Sequence, residues 1–369
     1  MYLEHLSVSN FRNYVAAELQ PAPQGVTLLQ GDNGAGKTNL LEAVGYFATL
    51  GSFRGAPTTA LVRSGTDQAV LRARANRQGR ALLIEAEVNL SGRDRLQLNR
   101  QPLRRNDELL GAVLVTVFSP DDIEVVKGAP QSRRKYLDEI LVALHPKHNA
   151  AHVELERVLK QRNALLRSAA GTLRGSMEST LDVWDSKLAD VGEAIADARE
   201  SLVASLQDES DQAYLKLSAA PGASPGVVGL RYERSWEGPL VNALGGARAE
   251  DVRRGVTSVG PQRDDLFMSI EGLAARTQAS QGEQRSLALA LRLGGHSLVT
   301  ARQSSSPVLL LDDVFSELDP HRSAALAACL PEGQTLLTSA GPVPEGLPVA
   351  QRALVRDGAL YPASGAPNR

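Results

Sequence analysis

The chain has 369 residues, 43% of them hydrophobic and 22% charged, with a formal net charge of −2. That length suits two domains, or one head carrying a large insertion, each with a packed core. No stretch approaches the roughly 18 apolar residues of a membrane helix, the balanced charge confers no general affinity for nucleic acid, and the lone Cys329 excludes an intramolecular disulfide. The N-terminal segment Met1 to Leu6 has neither a basic leader nor an apolar core, so the expected location is cytoplasmic.

In chain order, Tyr2 to Ser9 and Val26 to Gln30 read as strands, and the second delivers the chain to Gly31-Asp32-Asn33-Gly34-Ala35-Gly36-Lys37-Thr38. These eight residues spell G-x-x-x-x-G-K-[ST], a phosphate-binding loop between a strand and a helix that runs to about Leu50. The glycines let backbone N–H groups turn inward around the phosphates, Lys37 reaches the β and γ oxygens, and the Thr38 hydroxyl suits a magnesium ion. The chain is therefore expected to bind ATP with Mg2+, helped by the positive end of the helix opening near Lys37. Next, Leu82, Ile84, Ala86, Val88 and Leu90 alternate with polar residues, which predicts a half-buried antiparallel strand with neighbours at 71–75 and 96–98. Val113 to Phe118 is a continuous apolar run, expected to be a central strand.

Between about 130 and 220 the apolar spacing becomes helical, with a second long segment running from Leu181 toward Leu217 and Ser179 to Asp182 placed like a capping box. Too short for an extended coiled coil, this block ends at a Gly/Pro-rich loop, 219–226. Leu230 to Met268 reads as mixed strand and loop, including Gly260-Pro261-Gln262-Arg263-Asp264-Asp265. Ser280-Gln281-Gly282-Glu283-Gln284 then opens a Leu- and Ala-rich helix, offering a second hydroxyl, close backbone and positive dipole end to an anion. Val308 to Asp313 is a buried strand ending in two acids, expected to lie beside the phosphate loop. There Asp312 would reach the magnesium shell and Asp313 would activate the attacking water. Strands at 335–338 and 354–361 close the chain, the latter bent at Asp357-Gly358. Two phosphate-facing helix starts in one chain suggest a two-fold dimer that sandwiches two nucleotides.

The phosphate loop, the Ser280 to Gln284 element, the Leu309 to Asp313 strand and Phe315-Ser316-Glu317-Leu318-Asp319 together resemble the ABC-type ATPase heads of the SMC and Rad50 group. Pro120-Asp121-Asp122, Lys127 to Pro130, Arg133-Arg134, Leu137-Asp138 and Gly260 to Asp265 narrow the resemblance to the RecF family of bacterial recombination mediators, over essentially the whole chain. The resemblance implies an α/β, two-lobed P-loop head without a long coiled coil. Lobe I, 1–118 and 302–369, would hold a mixed sheet and an antiparallel β subdomain with the phosphate loop and acid strand. Lobe II, 119–301, would be largely α-helical and carry Ser280.

It further implies that Ser280, with Gly282 and Glu283, contacts the γ-phosphate held by a partner copy and that Asp319 lines that interface. Arg12 and Asn13 match a segment that approaches the nucleotide in Rad50-like heads, although their residues alone equally suit a surface turn. The implied partners are double-stranded DNA and single/double-strand gap junctions, an ATP-dependent homodimer, and RecR with RecO in loading RecA. Two departures stand out. The usual His after the strand following the acids is absent, leaving Thr338 or Ser339, and the glutamine expected near the lobe junction has no equivalent around Ser119 to Asp121. With Asp313 in place of the usual Glu, slow DNA-stimulated hydrolysis is expected. Arg133 and Arg134, or the cluster Arg157, Lys160, Arg162 and Arg167, are candidate DNA-phosphate contacts. The competing classes are the nucleotide-binding subunit of an ABC transporter, which the 120–138 and 260–265 patterns do not suit, and a metabolic P-loop kinase, which would need an acceptor-substrate lid and no Ser280 element.

Overall fold

The computed structural model describes residues 1–169, 171–172, 175–218 and 226–362; apart from Gly226, the expected 219–226 loop lies outside them. Among the described residues three sheets are formed. The first has the strand order β2-β1-β4-β5-β6-β7, built from β1 (Tyr2–Phe11), β2 (Tyr14–Leu19), β4 (Gln68–Arg77), β5 (Arg80–Asn89), β6 (Arg95–Leu98) and β7 (Gln101–Pro102). The second, with order β11-β10-β9, pairs β9 (Val228–Glu233), β10 (Asp265–Ile270) and β11 (Leu273–Ala274). The third has the order β15-β14-β3-β13-β12-β8. It comprises β3 (Gly25–Gln30), β8 (Val115–Phe118), β12 (Val308–Asp312), β13 (Gln334–Ser339), β14 (Val349–Arg356) and β15 (Ala359–Pro362).

The chain divides into two compact units. The first comprises Met1–Ile123, Asp208–Gly226 and Gln281–Arg369; the second comprises Glu124–Gln207 and Val227–Ser280. In the first unit, alternation puts Leu71, Ala73 and Ala75 of β4 and Ile84, Ala86 and Val88 of β5 on one buried face, in the register Leu71↔Ala86 and Ala73↔Ile84. That face shares a core with helix α1 (Lys37–Thr49) and with Leu29, Leu310 and Leu336 of the third sheet, so α1 is packed between two sheets. Leu41 and Phe47 of α1 are fully buried, and each such side chain contributes about 1.5–3 kcal/mol. Gln334 ties the sheets together: its amide accepts from Leu3 N (2.7 Å) and donates to the carbonyls of Leu3 and Ala22 (both 2.8 Å).

The second unit contains helices α3 (Pro130–Leu144), α4 (Lys147–Ser168) and α6 (Leu240–Arg254), most of the long α5 (Ser176–Ser218), and the three-stranded sheet; the unit boundary falls within α5 and within the short α2 (Ile123–Lys127). Short α7 (Ala275–Gln278) precedes α8 (Gln281–Gln303), and α9 (Pro320–Cys329) follows the acid strand. Among the described residues no helix is long and apolar enough to cross a membrane.

Several expectations change. The boundary expected at 301/302 instead falls before α8: its Leu and Ala face is buried, and His296 hydrogen-bonds Thr116 of β8 (3.0 Å), placing the helix in the first unit while Ser280 ends the second. The run from Val113 to Phe118 forms an edge strand rather than a central one, and its apolar character reflects cover by α8. Strand β2 follows β1 through a tight turn at Arg12 (φ 52°), and 240–254 is helical despite Gly245-Gly246, which face open space. Ser179 lies inside α5, donating to Ser176 O, so it is no cap. The bend at Asp357-Gly358 is a two-residue hairpin turn with φ 50° and 71°.

Candidate nucleotide-binding site

Chain direction brings the loop after β3 and the acids after β12 to the same end of the parallel strands, where α/β sheets bind ligands. The loop encloses a pocket of about 200 Å³ lined by Asn33, Gly34, Gly36, Lys37, Thr38, Asn39, Arg54 and Asp313. Lys37 is 6% exposed, and its Nζ spans the loop, donating to the carbonyls of Gly31 (2.8 Å) and Asp32 (2.9 Å). Gly36 precedes α1 with φ 112°, and a Cβ there would stand 2.6 Å from Asn13 Nδ2, so both backbone angle and space require glycine.

The two acids are held by the strand between them and the loop. β12 is not adjacent to β3, as the sequence suggested; β13 intervenes and supplies Thr338. The Thr38 and Thr338 hydroxyls both donate to Asp312 Oδ1 (2.7 and 2.8 Å), and Asp313 N donates to Thr338 Oγ1 (2.9 Å). Thr338 therefore positions the acids, and Ser339 donates to Gly341 O (2.9 Å). Burial raises the Asp312 carboxyl above the usual carboxylate range, opposed by the Thr38 and Thr338 hydroxyls and the Arg54 charge. Asp313 turns the chain in the left-handed region (φ 49°, ψ 29°) and lines the pocket. Thr38 and Asp312 together present hard oxygen donors of the kind magnesium takes alongside phosphate oxygens, so the residues fit that ion.

The second expected element forms the exposed start of α8, with Ser280 and Gln281 exposed and Gly282 and Glu283 half-buried. Gly282 lies close under Arg322: a Cβ there would stand 2.7 Å from the guanidinium, which would have to shift. The same guanidinium donates to Ser286 Oγ (3.0 Å) and pairs with Asp319. Asp319 caps α9, accepting from Arg322 N (2.9 Å), and these bonds hold its carboxyl below the usual range. Thus Asp319 is tied to the α8 start within its own chain.

Arg12 and Asn13 sit behind the loop. Asn13 donates to Ala35 O (3.0 Å) and accepts from Asn39 Nδ2 (2.7 Å), while the neighbouring Tyr14 hydroxyl donates to Gly36 O (3.0 Å). Arg12 forms a two-bond fork to buried Glu42 (2.7 Å each) and donates to Ala60 O (2.9 Å). Sequence reading missed Arg54: it follows α1 in an irregular loop, where neither periodicity nor motif marks it.

The basic clusters separate in character. Arg133 is 3% exposed and forked to Asp265 (2.6 and 2.9 Å), Arg134 donates to Asp264 O (2.6 Å), and Arg162 is fully buried against Asp185 and Asp251 (2.7 Å each). As candidate phosphate contacts, Arg133 and Arg162 are excluded by their burial. Arg157, Lys160 and Arg167 are exposed, Arg157 pairing with Glu154 (2.6 Å).

A family model described as the RecF/RecN/SMC N terminal domain matches residues 2–338. A Streptomyces avermitilis protein named DNA replication and repair protein RecF is 43% identical over 354 residues, covering 92% of this chain and 93% of its own. The chain belongs to the RecF family. A Frankia alni RecF is 44% identical over 359 residues, again covering 92% and 93%. Among solved structures, one titled as the recombination mediator protein RecF with ATP in the RecFOR pathway superposes with TM-score 0.89 at 29% identity, covering 98% of both chains. An SMC head bound to the C-winged helix domain of ScpA, at TM-score 0.57 and 16% identity, shares the fold alone. This RecF-family chain is thus a DNA replication and repair protein with the ABC-type ATPase head fold.

Proposed function

We propose that the chain is an ATP-dependent DNA-binding clamp of recombinational repair. ATP binding drives two copies together on duplex DNA or on single/double-strand gap junctions, and slow hydrolysis releases them. With RecO and RecR, the clamp assists loading of RecA, in the cytoplasm. The reading rests chiefly on one observation: a single chain carries both a formed phosphate loop with its acid strand and a separate exposed helix start at Ser280-Gln281-Gly282-Glu283. In the dimer, Ser280, Gly282 and Glu283 of one copy complete the γ-phosphate shell of the other, with Asp319 at the interface, so ATP favours the assembled state by mass action.

Lys37 leaves the Gly31 and Asp32 carbonyls for the β and γ oxygens, while Asn33 to Gly36 cradle the phosphates. Thr38 and Asp312 would hold magnesium, which would neutralise phosphate charge when bound. Asp313 orients the attacking water and takes its proton as the new P–O bond forms and the bond to the ADP oxygen breaks. Arg12 and Asn13 serve the nucleotide from behind the loop.

Electrophoretic mobility shift on duplex and gapped DNA tests this proposal. Binding should strengthen at least about tenfold with MgATP over no nucleotide and lose that gain in Lys37→Ala. Binding indifferent to nucleotide contradicts the clamp.

A further inference from the structure

A buried carboxylate one turn beyond the phosphate loop has no role in the chemistry described above. Glu42 is 0% exposed and lies on α1, four residues after Thr38 on the same helix face. Three bonds converge on it from two other segments: the Arg12 fork from the β1–β2 turn (2.7 Å each) and the Ser52 hydroxyl from the loop after α1, which donates to Oε1. Arg12 supplies the compensating charge that a buried carboxylate requires. Ser52 turns that anchor into loop geometry. Its Oγ also accepts from Arg54 N (3.1 Å), and its carbonyl accepts from Gly55 N (3.0 Å), closing a turn over 52–55. Phe53 secures the other side, with its ring lying where a Cβ on Gly45 of α1 would meet it at 3.0 Å. At the apex of this turn Arg54 lines the nucleotide pocket beside Lys37, Thr38 and Asp313.

We propose that Glu42 is a positioning residue for the nucleotide site: through Ser52 it holds the 51–55 turn so that the Arg54 guanidinium stands at the phosphate side of the pocket. The inference rests on the pocket being the ATP site. A buried ion pair serving stability alone needs neither the Ser52 relay nor its continuation to Arg54 N. Glu42, sharing α1 with Lys37 and Thr38, gives the turn and the phosphate loop a common rigid support. The effect passes from Glu42 to Ser52 to Arg54, so removing the relay and removing the guanidinium amount to the same loss.

A double-mutant cycle on equilibrium binding of a non-hydrolysable ATP analogue with magnesium tests this directly, using the full chain, with Ser52→Ala, Glu42→Gln and Arg54→Ala alone and combined. Arg54→Ala should raise the Kd about tenfold, and Ser52→Ala about three- to tenfold with an unchanged melting temperature. In the Arg54→Ala background neither Ser52→Ala nor Glu42→Gln should weaken binding further. Additive losses, or Ser52→Ala binding like wild type, overturn the positioning role while leaving the ATP site intact. A wild-type chain that binds no analogue overturns both. Because Ser52→Ala retains the Arg12–Glu42 pair, the test stands even if Glu42→Gln fails to fold.

Discussion

Two arginines of the helical unit and Arg54 of the first unit play opposite parts. In the helical unit, Arg162 is fully buried between Asp185 and Asp251, with Thr257 accepting from it (2.9 Å). Arg199 there is forked to Asp138 (2.7 and 2.8 Å) and also donates to Pro261 O (2.8 Å). In the first unit, Arg54 instead lines an open pocket with Asn33, Gly34, Gly36, Lys37, Thr38, Asn39 and Asp313. The difference lies in the neighbours: carboxylates at bonding distance consume a guanidinium, whereas a pocket facing solvent leaves its charge available to an anionic ligand. Arginine clusters in a sequence therefore carry no functional meaning until their acids are located.

The comparison breaks most visibly at Arg162. Replacing it with Met strands two buried carboxylates and should cost about 3–5 kcal/mol in urea denaturation. A loss below about 1 kcal/mol would mean the network is not a stabilising unit.

Next in size is a buried polar group of the first unit. His296 is 2% exposed between Thr116 and Ser306, and burial pushes its imidazole down to about 4. Above pH 6.5 the ring is neutral in both folded and unfolded chains, so it adds no pH dependence there. As pH falls from 6.5 to 4 the unfolded chain takes up the proton and the folded one does not. Stability attributable to this group should fall by about 3 kcal/mol across that window and change no further below it. His296→Gln should flatten this part of the stability profile, read by chemical denaturation at stepped pH.

Lys37→Ala should weaken ATP binding about a hundredfold, read by calorimetry, because the only ammonium lining the pocket is lost. Asp313→Asn should keep ATP affinity within about threefold while slowing hydrolysis about a hundredfold or more, which separates binding from water activation. The smallest effect belongs to exposed Arg157→Ala, within about 0.5 kcal/mol in stability despite its ion pair with Glu154.

The legible parts of the site were local ones. Residues 31–38 and Asp312-Asp313 are contiguous runs whose backbone context fixes their geometry, and both were placed from sequence. In sequence Thr338 stands only where a histidine is usual; its service to both acids depends on β13 lying between β12 and β3, a non-local pairing. Arg54 was invisible because irregular loops carry no period. The core faces of β4 and β5 were readable from alternation, whereas 240–254 was not, since Gly245-Gly246 mimics a turn in a helix whose glycines face open space. Arg133 and Arg134 read as phosphate contacts because their partners, the Asp265 carboxylate and the Asp264 carbonyl, lie about 130 positions away in sequence.

Sedimentation velocity with and without MgATP, on the wild-type chain and on Ser280→Arg, tests the central claim most directly. The account predicts that MgATP shifts the wild type from monomer to dimer, while Ser280→Arg binds ATP and stays monomeric. A wild type that remains monomeric at saturating MgATP, or a Ser280→Arg variant that dimerises equally well, would contradict it.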